Sequence, residues 1–467
     1  MAKKGLVLLP IPAAGHLKAM VETALKLLHH HSDVLSVTVL LMNSIPGVSL
    51  APNHHTYIHS ITSSGFDIHF EELPLIDPPH SDEKDGSPAS ISLYIQKLLP
   101  HINASLSNIL SSTPSTTLIV DFFASTVVDE AKKLGISTYV FFTSGAAMLA
   151  LVLYGPVLFD KKKSMEVFEL PGMDEPIPYL SLPTSFTMTN SASFSWFLYH
   201  GRRFLETKGM IINTFTALES QVIKALEDGL YVHGSPTPPI YPIGPVISLQ
   251  NPSNEEKEQH ETIKWLDGQD PGSVVFLCFG SMGTFTVSQV KEIAHGVERS
   301  GHRFLWSLRM TGLPVPSNAL LDEVLPEKFL ERTRDRGLVW PATVHQTEIL
   351  AHRAVGGFVS HCGWNSILES LWFGVPMLSW PLYAEQHFNA YRMVKSHGLA
   401  VELRVDRKDG GFVSGEEVEN GVRVLMGDSE EVKKVKERCG QMKVESRRAV
   451  EEGGSSFVSL QRLAGSF

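Results

Sequence analysis

Residues 355–386, VGGFVSHCGWNSILESLWFGVPMLSWPLYAEQ, concentrate the groups that could bind a phosphate. An apolar, β-rich run from Val355 to Val359 breaks at His361-Cys362-Gly363-Trp364. Asn365-Ser366 then reads as a helix N-cap, with Glu369 one turn further on. A strand that ends in small residues and delivers a capped helix aims free N–H groups and a positive dipole end at one point. Anions bind at such points. His361 stands beside this one, and Glu385-Gln386 follow the next strand at the same sheet edge. Glu369 reads either as an acceptor for vicinal ribose hydroxyls or as a solvated helix glutamate. Upstream, Phe279-Gly280-Ser281-Met282-Gly283-Thr284 follows another apolar strand. Glycines beside hydroxyls make a backbone nest for an anion, with Ser281 as its side-chain donor. No GK[ST] follows, so this is not a P-loop.

The first half carries a different chemistry. Pro10 to Leu17, PIPAAGHL, puts small residues after a strand and a histidine at a helix start. His16 there is a candidate general base near neutral pH; a capping or surface histidine is the alternative. Asp121 ends the strand Leu118-Ile119-Val120. It reads either as the carboxylate that holds the tautomer of His16 or as an N-cap for the helix near Ser125. Thr143 ends the following strand and could donate to a ligand or cap the next helix. No GxGxxG occurs, so a dinucleotide fingerprint is absent.

These residues need strand ends to hold them, and the pattern supplies strands. Short β-rich runs fall near 5–10, 36–42, 66–72, 116–121, 137–142 and 208–213. They recur near 273–279, 303–308, 337–340, 355–360, 376–380 and 399–403. Helical stretches lie between them, near 16–30, 90–111, 125–134, 144–159, 287–300, 346–352, 365–373 and 384–398. Near-continuous apolar strands alternating with helices mean parallel sheets covered on both faces. Two such series predict an α/β chain of two doubly wound, Rossmann-like domains. The expected boundaries are 1–246, a linker at 247–259, 260–449, and a last helix at 450–467 that crosses back to brace the first domain. IYPIGP at 240–245 reads as extended chain leading into the linker. Residues 76–90 and 160–205, rich in Pro, Ser and Asp, read as irregular surface loops around a substrate cleft.

Composition bounds the function. The 467 residues are 43% hydrophobic and 19% charged, with net charge −10. A large core is within reach, and nothing favours nucleic acid. Three distant cysteines, Cys278, Cys362 and Cys439, favour a reducing compartment without disulfides. No CxxC or HExxH spacing supports a zinc site. His29-His30-His31 reads as a polar helix end. The apolar run after Lys3-Lys4 stops at Pro10, too short for a signal peptide. No 18-residue apolar stretch predicts a membrane span.

The HCGWNS run, Glu369 and the closing Glu385-Gln386 resemble the signature box of plant family-1 UDP-sugar glycosyltransferases. The likeness extends to Gly15-His16, Asp121, the Gly280-Ser281 turn and the overall length. It implies the GT-B fold, two Rossmann-like domains facing across a cleft, with donor held by the second and acceptor by the first. By the same resemblance His361 binds the diphosphate, and Asn365 and Ser366 its α-phosphate side. Glu369 takes the ribose hydroxyls. Trp364, Glu385 and Gln386 contact the sugar, and Gln386 in the last position goes with glucose. His16 is the base and Asp121 its partner. One departure stands out. The family's box opens with Trp-Ala-Pro-Gln, and its Trp stacks on uracil. This chain has Thr343-Val344-His345-Gln346. Gln346 is kept and Val344 still offers its backbone, but Thr343 cannot stack. Trp340 and His345 are the nearby rings that could substitute.

The expected reaction is inverting transfer of glucose from UDP-glucose to a hydroxyl of a small phenolic such as a flavonoid. It requires no metal or other cofactor, because N–H groups and a helix dipole take the charge of departing UDP. Phe122, Phe142, Phe186 and Phe197 are the expected acceptor-pocket residues. Alternatives are C-glucosylation, another UDP-sugar, a catalytically weak nucleotide-sugar binder, and a nucleotide-dependent oxidoreductase, which the missing GxGxxG disfavours. A cytoplasmic monomer is expected.

Overall fold

The computed structural model describes residues 3–42, 44–45, 48–49, 54–79, 86–161, 166–232, 236–249, 256–309, 318–342, 344–407 and 410–467. They form two compact units. The first comprises Met1–Tyr179, Thr184–Ser248 and Arg448–Phe467; the second comprises Leu180–Pro183 and Leu249–Arg447.

The first unit is built on a seven-stranded parallel sheet. Its strands are β1 (Lys4–Leu9), β2 (Leu35–Leu41), β3 (Ile68–Glu72), β4 (Thr116–Asp121), β5 (Ser137–Phe142), β6 (Met210–Ile212) and β7 (Ile240–Pro242). Their spatial order is β3-β2-β1-β4-β5-β6-β7. The chain runs outward from β1 to one edge, returns, and runs outward again from β4. That reversal is the doubly wound signature, and ligands of such sheets bind where the order switches, here between β1 and β4. Register pairs Leu9 with Val120, so the turn after β1 and the end of β4 lie side by side.

The second unit repeats the scheme. Its strands are β8 (Val274–Cys278), β9 (Arg303–Ser307), β10 (Gly337–Trp340), β11 (Val355–Ser360), β12 (Met377–Ser379) and β13 (Ala400–Glu402). Their order is β10-β9-β8-β11-β12-β13, all parallel. The switch point lies between β8 and β11, with Cys278 beside Ser360.

The burial pattern explains why these segments are strands. Val274 to Leu277 are wholly buried, as are Leu118 and Val120. Runs apolar on both faces suit only a sheet covered on both sides. One core joins Leu6, Leu8, Val37, Val39 and Ile119 to helix Ala14–His31. Helix Ser455–Ala464 packs into that same core through Leu460 and Leu463. Arg462 donates to the Ile240 carbonyl and lies over the Tyr241 ring, 4.8 Å from its centroid.

Several elements differ from expectation; helix Gly86–Ser112 begins inside the stretch 76–90 read as loop. Ile240–Pro242, read as linker approach, is strand β7. It lies at the sheet edge, where a proline costs no ladder bond that a neighbour needs. Residues 160–205 are not all loop: Ala192–Phe204 is a helix, N-capped by Ser191, whose hydroxyl accepts from Phe194 N–H. A helix Glu256–Asp267 takes up the last residues of the expected linker, of which 250–255 lie outside the described residues. The helix expected at 384–398 is α-helical only over Gln386–Tyr391 and continues as a π-helical turn, Arg392–Ser396.

Among the described residues no helix is long and apolar enough to cross a membrane. All three cysteines are unpaired and buried, and burial pushes their thiols up to about 11 at Cys278 and about 12 at Cys362 and Cys439.

Candidate active site: two switch points

In the first unit β1 ends at Leu9, and helix Ala14–His31 starts without a side-chain cap at Ala13. His16, in the first turn of that helix, therefore sits at the switch point. Its Nδ1 lies 2.6 Å from Asp121 Oδ2. Asp121 is fully buried, and its other oxygen, Oδ1, accepts from Phe123 N–H at 3.0 Å. Both sequence readings of Asp121 thus hold at once. It pairs with His16, and it caps the 3-10 turn Phe122–Val127. An ionised carboxylate only accepts, so the proton of the 2.6 Å contact belongs to Nδ1. The neutral ring then presents Nε2 as a lone pair, the form a general base requires.

Thr143 Oγ1 is 3.2 Å from His16 Nδ1 and 3.5 Å from Nε2. The helix after Thr143 begins at Ala146, and its N–H groups at Ala146 and Ala147 are met by the buried Glu219 carboxylate at 2.7 and 3.0 Å. Thr143 is thus left to face His16 instead of capping that helix.

Aromatic rings extend from His16. Phe122 and Phe123 lie 5.6 and 6.2 Å from its ring. Phe123 meets Phe197 at 6.0 Å, and Phe197 meets Phe186 at 5.5 Å. Phe142, fully buried, lies against Phe122 at 4.8 Å and Phe204 at 6.2 Å. All four expected acceptor phenylalanines therefore belong to one aromatic cluster beside His16. Phe142 supports Phe122 and exposes no surface of its own.

The second switch point is built from backbone and glycine. After β11 the chain turns through His361, Cys362 and Gly363 into helix Trp364–Phe373. Gly363 is the N-cap and gives no side-chain cap bond, so Asn365 and Ser366 lie inside the first turn, not at the cap as expected. A helix start without a cap side chain is the kind of N–H end at which anions bind. Cys362 takes a left-handed φ of 60°, and Asn389 Nδ2 donates to its carbonyl at 3.1 Å. Asn389, which sequence reading did not single out, thereby ties the helix after Gln386 to the His361 turn.

His361 is buried, and its Nδ1 has no hydrogen-bond partner among the described residues. Burial pushes the imidazole down to about 4, so it is neutral at physiological pH. Two glycines make room for it. A Cβ on Gly280 would lie 2.7 Å from His361 Cε1 and Nε2, and one on Gly363 2.5 Å from Nε2. Gly280 also needs its φ of +73°. Ser281, next to it, is exposed at the tip of the turn after β8.

Gln346 opens helix Gln346–Ala351 and reaches across. Its Nε2 donates to Ser366 Oγ at 2.9 Å and Glu369 Oε2 at 2.6 Å. Three expected ligand residues are thus one hydrogen-bonded group. Val344 precedes it, half-buried; Thr343 lies outside the described residues. Gln386 is buried, and its Oε1 accepts from Leu382 and Tyr383 N–H at 2.9 and 3.0 Å, closing the turn that carries Glu385. Trp364 is buried beneath the helix start. Trp380 is core: fully buried, edge-on to Phe279 at 5.4 Å.

Comparison with known proteins identifies the family. Residues 236–437 match the family model for UDP-glucoronosyl and UDP-glucosyl transferase. The chain is 44% identical to malvidin galactosylase UGT88C3 of Oryza sativa subsp. japonica, over 99% of this chain and 97% of that protein. It is 44% identical to anthocyanidin 3-O-glucosyltransferase 1 of Manihot esculenta, over 96% and 98%. The crystal structure of Medicago truncatula UGT71G1 complexed with UDP-glucose superposes with a TM-score of 0.86 at 37% identity, covering 99% of this chain and 98% of that one. With two Rossmann-like sheets of the GT-B class and likeness along its whole length, the chain belongs to the plant UDP-glycosyltransferases.

Proposed function

We propose that this enzyme moves glucose from UDP-glucose to a hydroxyl of a small aromatic plant metabolite, a flavonoid or related phenolic, with inversion to a β-glucoside. The observation that carries the reading is the His16–Asp121 contact, 2.6 Å from Nδ1 to a fully buried carboxylate, which leaves Nε2 to take the acceptor proton. As the acceptor oxygen attacks the anomeric carbon, the O–H proton passes to Nε2 and the glycosidic bond to UDP breaks. Asp121 stabilises the resulting imidazolium. The aromatic rings next to His16 favour a flat, apolar acceptor. Relatives named for malvidin and for anthocyanidins support that class.

In the second unit the N–H end of helix Trp364–Phe373, the neutral His361 and Ser281 take the charge of the leaving diphosphate. Gln346, Ser366 and Glu369 form a polar group suited to the ribose and its phosphate. Gln386 supports glucose by its resemblance to glucose-using relatives, while the galactosylase relative makes UDP-galactose the competing donor. Thr343 removes the usual uracil platform, and donor binding is correspondingly weaker.

The test is transfer from UDP-glucose and UDP-galactose to a phenolic panel, read by mass spectrometry and by the anomeric coupling constant. β-Glucosides, absent with His16→Ala, are the expected result. An α-linked product overturns the inverting mechanism, and preferred galactoside formation overturns the donor assignment.

A further inference from the structure

A second histidine of the first unit, His200, makes two hydrogen bonds that the reaction does not require. It lies on helix Ala192–Phe204 and is fully buried. Its Nε2 is 2.8 Å from Ser92 Oγ, and its Nδ1 is 2.7 Å from Ser125 Oγ. Ser92, on helix Gly86–Ser112, and Ser125, in the turn Phe122–Val127, are also fully buried.

The directions of these bonds follow from a proton count. Ser92 has one hydroxyl proton, and it goes to the Pro88 carbonyl at 2.7 Å. Its oxygen can therefore only accept from His200, which puts the ring proton on Nε2. Nδ1 is then a lone pair and accepts from the Ser125 hydroxyl. The result is a one-way chain, Ser125 to His200 to Ser92 to Pro88, in which a neutral imidazole satisfies every partner. Burial, which pushes His200 down to about 3, agrees with the neutral form.

The rings around His200 are aromatic. Trp196 and Phe204, one helical turn to either side, stack on it at 5.5 and 6.4 Å. Phe123 meets it edge-on at 6.1 Å. Phe123 also lies 6.2 Å from the His16 ring, and its N–H is the one that Asp121 Oδ1 accepts. The turn Phe122–Val127 is thus held at its start by Asp121 and at Ser125 by His200.

We propose that His200, fixed in its Nε2–H form by Ser92 and Ser125, is a positioning residue that sets the Phe122–Val127 turn and, through Phe123 and Asp121, the seat of His16 and of the aromatic acceptor. Its role rests on the proposed function only for its effect on turnover; its effect on His16 does not. An apolar residue would fill the same space, but it would leave the turn free to slide on helix Gly86–Ser112. A displacement of about 1 Å at such a distance can cost up to about a hundredfold in rate.

The experiment uses full-length protein labelled with 15N-histidine. In the parent, His200 shows the Nε2–H tautomer and does not titrate between pH 5 and pH 8; an Nδ1–H tautomer or a titrating ring overturns the proposal. The comparison variant is Ser92→Ala/His200→Phe/Ser125→Ala, which removes all three polar partners together and leaves no buried orphan behind. Its UDP affinity, read by calorimetry, stays at the parent value, which reports an intact second unit. The His16 ring resonances, assigned by their loss in His16→Gln, are expected to move, and the KM for a phenolic acceptor to rise about tenfold with the UDP-glucose KM unchanged. His200→Gln alone, which keeps Ser92 and Ser125 and can donate to one and accept from the other, is expected to recover part of the acceptor KM relative to the triple variant. Unmoved His16 resonances in the triple variant overturn the proposal. If the parent transfers no sugar to any phenolic, the proposed function falls, and the His16 resonances still decide the positioning role.

Discussion

The two switch points occupy the same place in two sheets of the same strand order, yet their histidines are held in opposite ways. His16 rests on a buried carboxylate, with a threonine hydroxyl within reach and 20% of its side chain exposed. His361 is buried, its Nδ1 has no partner among the described residues, and two glycines wall it. A ring that must accept a proton needs a counter-charge ready for the cation it becomes. In the proposed function a ring that meets a phosphate needs space, which Gly280 and Gly363 leave beside His361. The fold supplies the same location, and the neighbours decide which chemistry it hosts.

Substitutions can break that contrast. His16→Ala is expected to lower kcat by about 10²–10⁴ while leaving UDP binding by calorimetry unchanged. His361→Phe should do the reverse, weakening UDP by roughly tenfold to a hundredfold through the loss of a hydrogen bond to a charged group. If both substitutions change kcat alone, the division of labour is wrong. Thr343→Trp sharpens the donor side: a restored base–aromatic contact should tighten UDP-glucose by about tenfold or more, and an unchanged Kd would show that another ring already stacks on the base. Gly280→Ala should cost about 1–2 kcal/mol for its left-handed backbone, together with displacement of His361. Thermal melting and UDP titration read the two parts separately.

A further expected effect is in pH. Burial lowers His361 to about 4 and His200 to about 3 in the folded chain, from the ordinary 6.5, so each takes up its proton only well below that value. Below pH 6.5 the unfolded state therefore binds protons that the folded state refuses, and stability is lost as pH falls from 6.5 toward 4. Each buried ring contributes about 1.4 kcal/mol per pH unit in that window. Melting temperature should fall over this range, and less steeply in His361→Phe.

The strands were legible because each is a short apolar run that only a doubly covered parallel sheet can bury. The site was legible where it is local, in the HCGWNS turn and the PIPAAGH turn. Long-range facts were not. Helix Ala192–Phe204 is rich in serine and aromatic residues of middling helix propensity and is decided by the packing of Phe194, Phe197 and Phe204. His200 and Asn389 act through partners 108 and 27 residues away. Gly280 shows its purpose only once β8 and β11 are neighbours. Strand β7 was hidden by its proline, which an edge position tolerates.

The three thiols have a practical consequence. Cys278, Cys362 and Cys439 all lie in the second unit, each buried and each with its thiol held well above neutrality. The thiolate is the reactive form, so an alkylating reagent meets almost none of it in the native molecule. Labelling can proceed only through conformations that open the second unit around these buried positions. The molecule thus carries its own clock for one half: the rate of alkylation counts openings of the second unit alone, and a protective effect of UDP on that rate is the outcome the proposed donor site predicts.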